Sequence, residues 1–217
     1  MKPFIPFAVC ILFASGAAVL GGDEAQIRFL AESIPDDLGE VIWVAGGKES
    51  DSVKLPANQL SESITVPDRV FGLQSKEGKR KLAVITLPAA GDSFVILLFP
   101  EDEGTMKPVV IDVDPESFRS GDVYLYNHSD KKIAGHLGST EFELPPGDGK
   151  AIRPGGNLTE GSYDVAFNIR DETGDRVLRT MLWPVQARSR SYCIFYTNDI
   201  KNRIEFRAVD EVVIPEK

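Results

Sequence analysis

The chain of 217 residues carries 24 basic and 33 acidic side chains, a formal net charge of −9, and is 42% hydrophobic. A surface that negative repels phosphate backbones, and no basic run exceeds Lys79-Arg80-Lys81, which excludes nucleic acid as a partner. Its two cysteines, Cys10 and Cys193, make no disulfide framework, so buried apolar surface has to hold the fold, and the length suffices for that.

The first 22 residues have the layout of a cleaved export signal. Lys2 gives a positive start, an apolar run extends from Pro3 to Leu20, small residues cluster from Ser15 to Gly22, and acids begin at Asp23. Pro6, Ser15 and Gly16 interrupt the run, unlike a spanning helix. The chain is therefore expected to be exported to the periplasm or the extracellular space, with no membrane span after cleavage. Cys193 is then the one remaining cysteine, and its apolar and aromatic neighbours predict a buried thiol.

From residue 23 onward a helical period nowhere persists for three turns. Apolar runs of five to seven residues, rich in Val, Ile, Phe and Tyr, are broken by Gly, Pro, Asn or Asp every 8–12 residues, the pattern of an all-β sandwich. The elements begin with a strand at 26–31. Val41–Val44, Ile64–Val66, Lys81–Leu87 and the run Ser93–Pro100 (SFVILLFP) follow, and a hairpin through Glu101-Asp102-Glu103 leads into 107–113. Pro115 and Gly121 mark a boundary. A second series then runs through Val123–Tyr126, Phe142–Leu144, Tyr163–Arg170, Arg176–Trp183 and Ser191–Asn198 (SYCIFYTN).

The two series align. SFVILLFP matches SYCIFYTN, 98 residues on (93 to 191), and Leu87-Pro88 matches Trp183-Pro184. Val41–Val44 matches Val123–Tyr126, Ile64-Thr65-Val66-Pro67 matches Phe142-Glu143-Leu144-Pro145, and Val113-Asp114 matches Val209-Asp210. The expected architecture is a signal peptide (1–22) and two tandem immunoglobulin-like β-sandwich modules, 23–116 and 117–217, from an internal duplication. The second carries a longer hairpin around Asp171–Asp175, where the first has only Lys81–Leu87.

Catalytic Ser–His–Asp or Cys–His chemistry needs a histidine, and only His128 and His136 exist. A tight hairpin through Asp130-Lys131 pairs His128 with Ile133 and turns the two rings to opposite faces, so they do not converge on a metal. No catalytic residue is assigned, and the chain is read as non-enzymatic. Gly91-Asp92-Ser93 precedes a strand and lacks the partner blocks of the GDSL hydrolases. Asp92, Asp112 and Asp114 should gather at one end of the 93–113 hairpin, beside the linker, as candidates for an inter-module calcium site; no other cofactor is expected. Trp43 and Trp183 sit in apolar strands and read as core. Asn127 and Asn157 head glycosylation sequons.

Loops at the sandwich ends are the expected working surfaces. The second module singles out Pro145, Pro146, Asp148 and Lys150 in one loop and Asp171, Glu172 and Asp175 in the long hairpin's turn. The chain reads as an exported binding or structural protein of the cell envelope or extracellular space, with a protein or glycan partner at the cell surface. The alternatives are a carbohydrate-binding module with an exposed tryptophan and, behind it, a carboxylate-dependent glycan hydrolase. In outline (a signal peptide, about 220 residues, two sandwich domains) the chain resembles the periplasmic pilus chaperones, which implies an exposed edge strand, with SFVILLFP the candidate. The family's cleft Arg and Lys and its strand motif are not found here.

Overall fold

The computed structural model describes residues 24–114, 116–156, 161–172, 174–185, 187–198 and 200–213. The expected signal peptide and the Asn157 sequon lie outside them. The described residues are almost entirely β. The first series comprises β1 (Ala25–Ala31), β2 (Glu40–Ala45), β3 (Lys48–Glu49), β4 (Val53–Lys54), β5 (Ile64–Val66), β6 (Val70–Ser75), β7 (Lys81–Thr86), β8 (Ser93–Pro100) and β9 (Met106–Asp112). They form one sheet in the order β5-β1-β8-β9 and another in the order β3-β2-β6-β7, with β4 also on β2. The second series comprises β10 (Val123–Asn127), β11 (Lys132–Leu137), β12 (Thr140–Leu144), β13 (Gly149–Ile152), β14 (Ser162–Asp171), β15 (Gly174–Pro184), β16 (Ser189–Asn198) and β17 (Arg203–Val212). Its sheets run β13-β10-β16-β17 and β12-β11-β14-β15. The strand order is the same in both halves, and in each the opening strand lies parallel to the long apolar one, β1 on β8 and β10 on β16.

Three cores separate these sheets into four layers. The first core lies within the first module and takes Phe94, Ile96 and Leu98 from β8. The second lies within the second module and takes Cys193 and Phe195 from β16. The third lies between the modules and takes the alternate residues of the same strands, Val95, Leu97 and Phe99 from β8 with Tyr192 and Ile194 from β16. Successive side chains of a strand point to opposite faces, so a strand with a core on each side needs an unbroken apolar run. That is why SFVILLFP and SYCIFYTN show no polar alternation. β8 is the third strand of a four-stranded sheet, paired on both edges, so it offers no exposed edge to a partner.

The expected alignment holds for the two long apolar runs, is one residue out of register at Val113-Asp114 against Val209-Asp210, since Phe94 pairs with Asp112 where Tyr192 pairs with Val209, and slips altogether at its N-terminal members. β8 and β16 occupy equivalent places, as do the ends of β7 and β15. Val41–Val44 lies in β2, whose counterpart is β11, whereas Val123–Tyr126 lies in β10, the counterpart of β1. Likewise β5 corresponds to β13 and not to β12. The second hairpin is the longer, as expected, with β14 and β15 of 10 and 11 residues against six each for β6 and β7. The first module does have its own shorter hairpin, because Val70–Ser75 pairs with Lys81–Thr86.

The expected hairpin at Asp130-Lys131 does not form. Both edges of β10 are occupied, by β13 and β16, so β11 crosses to the outer sheet. Asn127 holds this crossing. Fully buried, it donates to the carbonyls of Lys131 (2.7 Å) and Leu144 (2.9 Å) and accepts from the backbone N–H and hydroxyl of Ser129. Its amide is therefore not presented as a glycosylation acceptor.

The third core makes a testable demand. Leu97 is fully buried and lies between the modules, so Leu97→Ala should cost about 2–5 kcal/mol. Chemical denaturation read at Trp43 and Trp183, one in each module, should show both signals shifting together. Loss of stability confined to one module would contradict the shared core.

Candidate functional site

The three aspartates of the sequence reading do gather. Asp92, Asp112 and Asp114 line a cleft of about 620 Å³ where the modules meet, together with Arg28, Arg190 and Glu211. Each acid has a local task. Asp112 Oδ1 accepts the backbone N–H of Asp114 (3.0 Å), Asp114 Oδ1 accepts that of Glu116 (2.9 Å), and Asp92 points into solvent, 3.9 Å from Arg69. Gly91 makes the turn ahead of them at φ +86, and a Cβ there would stand 2.9 Å from the Asp112 carboxylate. Among the described residues no group of three or more His, Cys, Asp or Glu side chains is arranged to hold a metal ion.

The strongest interactions of the cleft lie on its inner wall. Arg190, 7% exposed, clamps Glu211 through Nε (2.6 Å) and Nη2 (3.2 Å). Its Nη1 donates to the carbonyls of Val113 and Phe118, both at 3.0 Å, and its guanidinium covers the Phe118 ring. Glu211 also accepts from the Tyr192 hydroxyl (2.6 Å) and from Arg28 of the first module (2.7 Å). Arg207 adds a second tie, donating to the carbonyls of Ala31 and Glu32. Burial pushes the Glu211 carboxyl upward, but the hydrogen bonds from Arg190 and Tyr192 and the two guanidinium charges outweigh it and hold it below the ordinary glutamate value. Burial and the neighbouring Glu211 push the Tyr192 phenol up, so it stays a donor. This is a structural lock, in which two guanidinium groups share one buried carboxylate.

The predicted loops come together at one end of the second module. The loop of Pro145, Pro146 and Asp148 is tied to β10: Gly147 N–H donates to the Asn127 carbonyl, and the Asp148 carbonyl accepts the Asn127 N–H. Lys150 lies exposed on β13 opposite Leu125. In the turn from β14 to β15, Asp175 forms a two-pronged pair with Arg170 (2.6 and 2.7 Å), whose hydrogen bonds pull its carboxyl below the usual range, and Arg170 also bonds Glu143. Asp171 pairs in register with Gly174, and Glu172 is exposed. The histidines stay apart. His128 is half buried, stacked 4.0 Å from the Phe99 ring, and burial beside Lys107 lowers its pKa. His136 meets Asp164 at 2.8 Å on the outer sheet. Trp183 is buried and Trp43 packs on the first core with its indole nitrogen covered, so neither ring stands out as a sugar platform. Cys193 is fully buried, and burial pushes its thiol far up.

The feature that sequence reading missed is a trough along the open side of the second sandwich. In the first module β7 lies against β9 and closes that side. In the second, β15 and β17 border a space of about 540 Å³ floored by Ile169, Leu178, Met181, Ile204 and Phe206 and edged by Arg176, Arg179 and Arg203. A further space of about 280 Å³ continues past Met181 and Phe206 to Pro184 and Asp210. Val177 (66% exposed) and Leu182 (63%) stand out on β15 as exposed apolar residues. The available sequence signal was Arg179 on the face of Met181 and Trp183; Arg176 joins that face only through the irregularity in the β14–β15 pairing.

No protein-family model matches this chain, and no curated protein matches it. Among the described residues no helix is long and apolar enough to cross a membrane.

The lock predicts an acid dependence of stability. Because the Glu211 carboxyl is held low in the folded state, its contribution is complete above the unfolded value of about 4.3 and is lost as pH falls below that through the folded value. Glu211→Gln leaves Arg190 buried without its charge partner and should destabilise by about 3–5 kcal/mol at pH 7. That difference should shrink as pH drops below about 4. A difference constant with pH would show that the carboxylate charge is not what matters.

Proposed function

We propose that this chain is an exported, non-enzymatic binding protein of the cell envelope or extracellular space, and that its two modules descend from one duplicated unit. It acts as one rigid block whose working surface is the trough between β15 and β17. The observation that carries this reading is the difference between two halves of the same strand order. The side that β7 and β9 close in the first module stands open in the second, with an apolar floor and arginines at its edge. A clustered apolar surface rimmed by polar residues is the signature of an interaction site. The longer β14–β15 hairpin builds one wall of it, and the junction lock fixes β17, the other wall, through Glu211. The turn at Asp171–Asp175 leads into the β15 wall of the trough and adds a secondary contact, while the loop around Pro145–Lys150 joins β12 and β13 at the opposite edge of the module.

In-cell photo-crosslinking tests this. A photoreactive residue at Val177, on the rim of the trough, should give a discrete covalent adduct, and one at Val84, equally exposed on β7 of the first module, should not. Adducts equal at both positions, or none at Val177, would contradict the assignment.

A further inference from the structure

We infer that the trough takes an extended segment of another protein, added as a strand along β15, with apolar side chains followed by acidic ones on its inward face; this rests on the trough being the working surface. Among the described residues β15 is hydrogen-bonded on one edge only, by β14, and β17 likewise by β16, so each presents an open backbone edge to the gap between them. An incoming strand satisfies such an edge and sends alternate side chains inward.

The register fixes what those side chains must be. Directly paired residues share a face, and β15 pairs Trp183 with Tyr163, Met181 with Val165, Arg179 with Phe167 and Arg176 with Ile169. All four of these β14 residues belong to the second core. Trp183, Met181, Arg179 and Arg176 therefore face the interior of the sandwich, and the irregularity at Phe167/Asn168 brings Leu178 in beside Arg179. Two arginines at inward positions of an edge strand repel an apolar partner, which would bury both charges unpaired. An antiparallel strand with apolar residues opposite Trp183 and Met181, and acids opposite Arg179 and Arg176, meets all four.

The charges are available for this. Neither Arg176 nor Arg179 forms an ion pair with another described residue, while the nearby acids are committed, Glu143 and Asp175 to Arg170 and Glu205 to Lys201 and Arg203. The trough edge thus carries three arginines against one glutamate, in a chain whose net charge is −9. That local inversion of sign selects an acidic occupant.

The test uses the full mature chain and a fluorescent peptide, Thr-Ile-Thr-Ile-Thr-Glu-Thr-Glu-Thr, titrated by anisotropy. Saturable binding is expected, at least tenfold weaker when both Glu are Lys and at least tenfold weaker when alternate backbone nitrogens are methylated. The Arg176→Glu/Arg179→Glu double variant, altered only at exposed positions, should reverse the preference and favour the Lys peptide. Absence of saturable binding, indifference to methylation, or an unreversed charge preference would each overturn the proposal. Sedimentation showing self-association through this edge would also overturn it, by making a second copy the occupant. If the peptide fails while the adduct at Val177 persists, strand addition is wrong and the trough reading stands; if the adduct is absent, that reading falls.

Discussion

Burial of two strands on both faces is the constraint on which the rest of this molecule depends. β8 and β16 each give one set of side chains to their own module's core and the alternate set to the core between modules. Neither inner sheet has a face to spare for water. The modules are consequently pressed together sheet to sheet, and the charged residues at the border have to be matched in place. Arg190, Glu211, Tyr192 and Arg28 satisfy one another there, and the linker's carbonyls at Val113 and Phe118 are drawn into the same network. A buried pair of this kind adds little net stability over apolar packing, but it penalises every arrangement that separates its members. It thereby specifies one relative orientation.

β17 transmits that rigidity outward. Val209 contributes to the core between modules and Glu211 to the lock, while Ile204 belongs to the second core and Phe206 packs against it and floors the trough. The surface that faces outward is thus mounted on a strand whose other face is fixed. On the proposed reading, rigid mounting would lower the ordering cost of binding, because little of the wall would have to be immobilised.

Much of this was legible in the sequence because it is local. The long hairpin announced itself through the turn residues between Arg170 and Arg176, and counting along the 93–113 hairpin sufficed to place Asp92, Asp112 and Asp114 at one end. The two apolar runs were correctly paired with each other as equivalent strands. Their meaning as two-sided strands was not apparent, since a run such as SFVILLFP satisfies any buried strand equally well. The early part of the alignment failed for a related reason. β1 and β10 are placed by parallel pairing with strands tens of residues downstream, and such pairing leaves no turn signature nearby. The His128–Ile133 hairpin was a plausible local reading overridden by the competition for β10's edges. The junction lock joins residues more than 180 positions apart, Arg28 to Glu211, beyond any local pattern. Arg179 was a visible anomaly, a charged residue on the face that Met181 and Trp183 share, whereas Arg176 reaches that face only through the bulge in β15, which no local pattern announces.

The central claim is that a shared core and a buried lock make two sandwiches into one body. Residual dipolar couplings of backbone amides, measured on residues 23–217 in a dilute aligned phase, test it most directly. A single alignment tensor fitting the couplings of β1–β9 and β10–β17 together, in the orientation described, is the predicted result. Two tensors of different magnitude or direction, one for each module, would mean that the modules move independently, and the account would be wrong at its foundation.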